Sequence, residues 1–204
     1  MSSRDHWQRV YETKESTEVS WYAAHLQQSV RLIQEVAPPP ARIIDVGAGA
    51  STLVDDLLEL GYRNLTVLDV SDAALAMARR RLGERATEVN WLAADVCSAS
   101  LEENCFDLWH DRAVFHFLTS ENDRRAYVSQ VRRSLVSGGH VVIATFSLAG
   151  PSQCSGLDVM RYDALSLVRE FGPAFELSSQ GEATHTTPAG KEQQFIFCRL
   201  RKTS

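Results

Sequence analysis

Apolar residues along the chain recur in two alternating patterns. Short runs of four or five, rich in Ile, Val and Leu, predict strands buried on both faces at 42–46, 65–69, 89–92, 106–110 and 140–146. Between them, apolar positions spaced by three and four predict helices. The first covers 23–36, with Leu26, Val30, Ile33 and Val36 on one stripe. Others cover 51–60, 71–82, 123–135 and 161–170. Pro38-Pro39-Pro40 ends the first helix and delivers the chain extended into the first strand. Ser71 is placed to cap its helix, Gly61 and Gly83 to end theirs, and Ser137-Gly138-Gly139 to turn the chain. Alternation of this kind predicts a parallel α/β sheet with crossover helices. Two late strands, about 174–180 and 193–199, are joined by a Gly/Thr/Pro-rich stretch and predict a closing antiparallel hairpin.

The chemistry gathers where strands end. The first strand runs into Asp45-Val46-Gly47-Ala48-Gly49, and the second ends in Asp69. Glycines at 47 and 49 permit positive φ and close approach of a ligand to the backbone. An acid about 20 residues after such a loop can accept both hydroxyls of a ribose. Taken alone, the Gly-x-Gly segment is equally a tight strand-to-helix turn. With strand, helix and Asp69 in place it predicts a site for an adenosine-bearing cofactor. Thr52 stands where a dinucleotide fingerprint needs its third glycine, and no phosphate loop is present.

Asp45-x-Gly47-x-Gly49 resembles the first motif of class I S-adenosylmethionine (SAM) methyltransferases. Asp95-Val96 resembles that family's adenine-contacting pair, and the closing hairpin is similar too. The resemblance runs from about residue 40 to 200. It implies a doubly wound, seven-stranded, mostly parallel sheet in the order 3-2-1-4-5-7-6, with helices on both faces. It also implies one methyltransferase domain over 1–204, in which an N-terminal helical arm, 1–38, covers the cofactor site of a Rossmann-like core at 39–204. The implied cofactor is SAM, its product S-adenosylhomocysteine, with no metal. The implied cofactor residues are Asp45, Gly47, Gly49, Asp69, Val70, Asp95, Val96 and His110. Tyr11 and Trp21 of the aromatic arm would shield the methionine part, since aromatic faces attract a sulfonium cation.

Ligands of open parallel sheets bind beyond the carboxyl ends of strands, which places His110-Asp111-Arg112 at the rim. Asp111 is expected to position a nucleophile or take its proton, with His110 beside it. Mutual pairing of Asp111 and Arg112 within the loop is the other reading. Arg112, Phe115, Arg161, Tyr162 and His185 are expected to meet the acceptor, although core packing serves equally for Phe115. Trp7-x-x-x-Tyr11-Glu12 with Phe106-Asp107-x-x-x-Asp111 is similar to elongation-factor lysine methyltransferases, whose Lys-Gly after the acid is Arg112-Ala113 here.

A net charge of −5 argues against binding nucleic acid by bulk electrostatics. The apolar runs are too short to cross a membrane, and Met1–His6 has no signal core. Cys97, Cys105, Cys154 and Cys198 lack metal spacing and predict reduced thiols of a cytoplasmic protein, Cys97 and Cys198 in the core and Cys154 in a loop. The expected activity is methyl transfer to N, O or S of a small molecule. Protein lysine methylation is the alternative, and a non-catalytic SAM-binding module the second.

Overall fold

A computed structural model describes residues 2–203; Met1 and Ser204, the ends of the expected span, lie outside them. The main sheet has seven strands: β1 (Arg42–Val46), β2 (Asn64–Asp69), β3 (Val89–Ala93), β4 (Phe106–Arg112), β5 (Leu135–Phe146), β6 (Phe175–Thr186) and β7 (Glu192–Lys202). Their order is β3-β2-β1-β4-β5-β7-β6, as the family resemblance implies. The first five pair in parallel, and β7 runs antiparallel to both β5 and β6. Residues 153–154 and 157–158 pair as a separate small hairpin.

Adjacent strand residues face opposite sides of the sheet, and both sides are covered. Ile43, Leu65, Leu108 and Val142 pack with Ile33 of helix α2 (Gln27–Gln34) and Leu57 of α3 (Leu53–Glu59). Ile44, Leu68, Trp109 and Val141 pack with Tyr127 and Val131 of α5 (Glu121–Ser134) and Leu167 of α6 (Ala164–Phe171). Burial on both faces explains why these strands read as unbroken apolar runs. Between α3 and α5, α4 (Asp72–Leu82) follows the Ser71 cap, whose hydroxyl accepts from Ala74 N. The arm begins with α1 (Ser3–Thr13), where Ser2 and Asp5 cap each other's backbone.

Three boundaries differ from expectation. The helix expected over 23–36 is confined to Gln27–Gln34; the carbonyl of Ala23 accepts from the Thr52 hydroxyl instead of from a helical N–H. The glycines at 138 and 139 do not end an element. They sit inside β5, where the register with β4 slips and Gly138 takes φ +77°. The late strands are longer than expected and leave a turn of only 187–191. Exposure along β6 alternates residue by residue, but its side chains are too polar to read as a strand.

Candidate active site

The glycine turn after β1 is clamped from two sides. Gly47 (φ +57°) and Gly49 (φ +55°) adopt the left-handed region. A Cβ on Gly47 would overlap the Val114 side chain, and one on Gly49 would overlap the Tyr11 hydroxyl. Asp69, at the tip of β2, is buried and faces the same turn. Its Oδ2 accepts from Gly49 N at 2.7 Å and its Oδ1 from Ser71 N at 2.8 Å. Burial pushes the carboxyl up to about 6, against these two N–H donors. An ionised carboxylate has about four acceptor positions, so roughly two are left toward the cavity that Asp69 lines.

That cavity, of about 260 Å³, lies beyond the carboxyl ends of the parallel strands. One half is lined by Asp69, Val70, Asp95 and Val96. The other is lined by Arg112, Phe117, Phe146, Cys154, Gln193 and Phe195. Trp7, Tyr11 and Trp21 of the arm form its roof. Trp7 stands edge-on to Trp21 at 5.6 Å and to Phe117 at 5.0 Å. A second lobe of about 30 Å³ is lined by Asp45, Gly47, Trp21, His110 and Arg112.

The arm is fastened to the core. Arg112 Nη1 donates to the Trp21 carbonyl (2.9 Å), His185 Nε2 to that of Ser20 (2.8 Å), and the Thr52 hydroxyl to that of Ala23 (3.0 Å). Gln8 Oε1 accepts from the Ser71 hydroxyl and Ala73 N, which ties α1 to the start of α4. Among the described residues Arg112 has no carboxylate partner; it packs over the Phe195 ring at 5.3 Å, and burial pulls its guanidinium down to about 10.

Eleven residues expected at the site therefore line the two spaces or shape the turn: Asp45, Gly47, Gly49, Asp69, Val70, Asp95, Val96, His110, Tyr11, Trp21 and Arg112. Others are elsewhere. Asp111 is fully buried away from the cavity and accepts from Val114 N, Phe115 N and Tyr127 Oη (2.9, 3.1 and 2.6 Å). It holds the turn after β4 and has neither the exposure expected of a base nor the expected pairing with Arg112. The reason is strand phase: Asp111 and its neighbours 110 and 112 face opposite sides of the sheet. His110, by contrast, lines the small lobe, bonded to Asp45 and Ser29. Phe115 and Tyr162 pack on each other at 5.7 Å within the core. Arg161 braces the loop carbonyls of Leu148 and Gly150, and His185 grips the arm. Conversely, Cys154, expected in a loop, is buried against the cavity, and half-buried Cys97 both packs against the core and lines the cavity. Trp7, Phe117, Gln193 and Phe195 also line it. Of these, Trp7 and Phe117 carried a signal in the sequence, Trp7 as part of an aromatic cluster needing something to cover and Phe117 as an aromatic just after the polar run that ends β4.

Among the described residues, no group of His, Cys, Asp or Glu is arranged to hold a metal, and no helix is long and apolar enough to cross a membrane.

Residues 43–139 match a methyltransferase domain family. That stretch is a little under half of the chain, and the seven-stranded Rossmann-like sheet has the strand order of the class I SAM-dependent methyltransferases that the sequence resembles. Among curated relatives it is similar to the eEF1A lysine and N-terminal methyltransferase of Danio rerio, 26% identical over 149 residues, covering 72% of this chain and 21% of that protein. The chain thus spans about a fifth of the length of such relatives. Two solved structures share its fold. One comes from work on the conversion of a disulfide bond into a thioacetal group during echinomycin biosynthesis (TM-score 0.80, 19% identity, 98% of this chain and 93% of that one). The other is Burkholderia thailandensis 1,6-didemethyltoxoflavin-N1-methyltransferase with 1,6-didemethyltoxoflavin and S-adenosylhomocysteine (TM-score 0.72, 20% identity, 99% and 84%).

Proposed function

We propose that the chain transfers the SAM methyl group to an N, O or S nucleophile of a small molecule held under the arm, in a cytosolic setting that its four free thiols support. The donor chemistry at the sheet edge fits the cofactor. Asp69 keeps acceptor positions for two ribose hydroxyls, and Asp95 with Val96 serves the adenine. Gly47 admits close contact, and Asp45 takes the cationic end of the methionine part. When bound, SAM supplies an electrophilic methyl on a sulfonium. The rest falls to the chain: Trp7, Tyr11 and Trp21 exclude water, and the cavity walls align the acceptor. Among the described residues that line the acceptor half, Arg112, Phe117, Phe146, Cys154, Gln193 and Phe195, there is no carboxylate or imidazole, which supports a reaction carried by orientation.

The observation that carries the small-molecule reading is the lining of the acceptor half. It is roofed and aromatic, and the charged side chain lining it is the cation Arg112; the cavity's acids Asp69, Asp95 and Asp123 belong to the half toward the adenosine, Asp123 lying beside Cys97. A lysine ammonium would meet a like charge there, whereas a neutral or anionic acceptor would not. Protein amino groups form the second reading, favoured by the name of the Danio rerio relative.

Calorimetry should show SAM and S-adenosylhomocysteine binding at micromolar level, and absence of both would end the enzyme reading. Radiolabelled SAM given to a lysate should then label the low-mass fraction. Label carried by protein would overturn the choice of acceptor.

A further inference from the structure

His110 lies directly opposite Asp45 in the parallel pairing of β1 and β4. Its Nδ1 is 2.6 Å from Asp45 Oδ1, and its Nε2 is 2.9 Å from the Ser29 hydroxyl on α2. All three residues are buried, at 1–5% exposure, so each hydrogen bond forms where water does not compete. Among the described residues the Ser29 hydroxyl makes no other hydrogen bond; it donates to Nε2, which leaves Nδ1–H to donate to the carboxylate. Among the described residues Asp45 Oδ2 has no hydrogen-bond partner; the Arg112 guanidinium, which also lines the small lobe, feels the Asp45 charge but spends its Nη1 on the Trp21 carbonyl. Asp45 and His110 both line the small lobe, whose volume of about 30 Å³ suits one group the size of a water molecule or an ammonium.

We propose that His110 and Ser29 are positioning residues: they fix Asp45 Oδ1 so that Oδ2 is held toward the lobe as a dedicated acceptor for the ammonium of the cofactor's amino-acid end. The inference rests on the methyltransferase reading and assigns His110 a role in cofactor recognition that acts through Asp45. Rotation of the Asp45 side chain is otherwise opposed by little, since Oδ1 has only the His110 contact. Anchoring the imidazole from a helix outside the sheet locks the ring as well as the carboxylate, as in other His–carboxylate pairs where a further group orients the ring.

The consequence is selective. Ligands that carry the amino-acid end depend on His110, and ligands that stop at the sulfur do not. Affinities of SAM, S-adenosylhomocysteine and 5′-methylthioadenosine, which lacks the amino acid, are measured by calorimetry for the full chain and for His110→Leu, His110→Asn and Ser29→Ala. His110→Leu is expected to weaken SAM and S-adenosylhomocysteine by about tenfold or more, the size of one charge-assisted hydrogen bond. It should leave 5′-methylthioadenosine within about twofold, since that ligand makes no such bond. His110→Asn, whose amide N–H can take the place of Nδ1–H, should recover most of the loss, and Ser29→Ala should fall between. Should His110→Leu fail to fold, the ratio of SAM to 5′-methylthioadenosine affinity in Ser29→Ala and His110→Asn decides. Equal loss for all three ligands, or an unchanged ratio in folded variants, overturns the proposal. Failure of all three ligands to bind the unaltered protein would instead remove the methyltransferase reading beneath it.

Discussion

Gly49 and Tyr11 are coupled strongly enough for the coupling to be measured. Gly49→Ala introduces two separate costs. Its φ of +55° is left-handed, which costs an alanine roughly 1–2 kcal/mol. Its new Cβ would also overlap the Tyr11 hydroxyl and come within 2.9 Å of the ring carbon bearing it, so the ring must leave. Expelling a buried aromatic side chain costs about 1.5–3 kcal/mol, and loss of the edge contact with Trp21 adds about 0.5–1.5 kcal/mol. Gly49→Ala alone should therefore destabilise the unliganded protein by about 3–6.5 kcal/mol. Tyr11→Ala has already lost the ring, and in that background the glycine substitution should cost only the backbone component, roughly 1–2 kcal/mol. Urea unfolding of the four proteins gives the cycle. Effects that add within about 0.5 kcal/mol would refute the reasoning, because that is the behaviour of independent sites.

Other predictions concern the carboxylates and the buried cation. Asp69→Ala should weaken SAM by about 10- to 100-fold through the ribose, the value of one or two hydrogen bonds to a charged group; calorimetry reads it. Asp69 titrates near 6 in the folded chain against 3.8 in an exposed carboxyl. Between those values the native state holds the extra proton, so this group adds stability as pH falls from 6 to 4 and loses it as pH rises. SAM affinity should move the other way, falling below pH 6 as the acceptor oxygens are protonated, and Asp69→Asn should flatten both profiles. Asp111→Ala leaves two backbone N–H groups and the Tyr127 hydroxyl without their acceptor. It should lower stability by about 3 kcal/mol or more, with folded enzyme keeping its kcat; a large kcat loss at unchanged stability would restore Asp111 as a base. Arg112→Gln should raise KM for an anionic acceptor and change SAM affinity less.

What could be read from the sequence follows from how local each signal is. Asp69 lies at the end of a five-residue apolar run and twenty residues from Gly49, and both signals survive without any knowledge of neighbours. Asp111 and His110 show the limit. In His110-Asp111-Arg112 the residue facing the ligand depends on strand phase, and phase is set by pairing with β1 and β5. The polar run looked like one rim; the pleat divides it into a cavity side and a core side. Cys154, Gln193 and Phe195 come together only because β7 inserts beside β5, a pairing between residues about 50–60 positions apart in sequence that no short window contains. Aromatic clustering in the arm was legible, because Trp7, Tyr11 and Trp21 were too many to leave uncovered. The length of β6 was not, since its alternation is between exposed and half-buried polar residues.

The three core donors that hold residues 20–23 all bind main-chain carbonyls: Ser20 O, Trp21 O and Ala23 O. Every residue type supplies that acceptor. Closure of the arm is therefore largely independent of which side chains the segment carries, and the roof can be re-sequenced while its attachment is retained. Exchange of residues 20–23 is accordingly a route to altered acceptor choice that leaves the sheet, the glycine turn and Asp69 untouched.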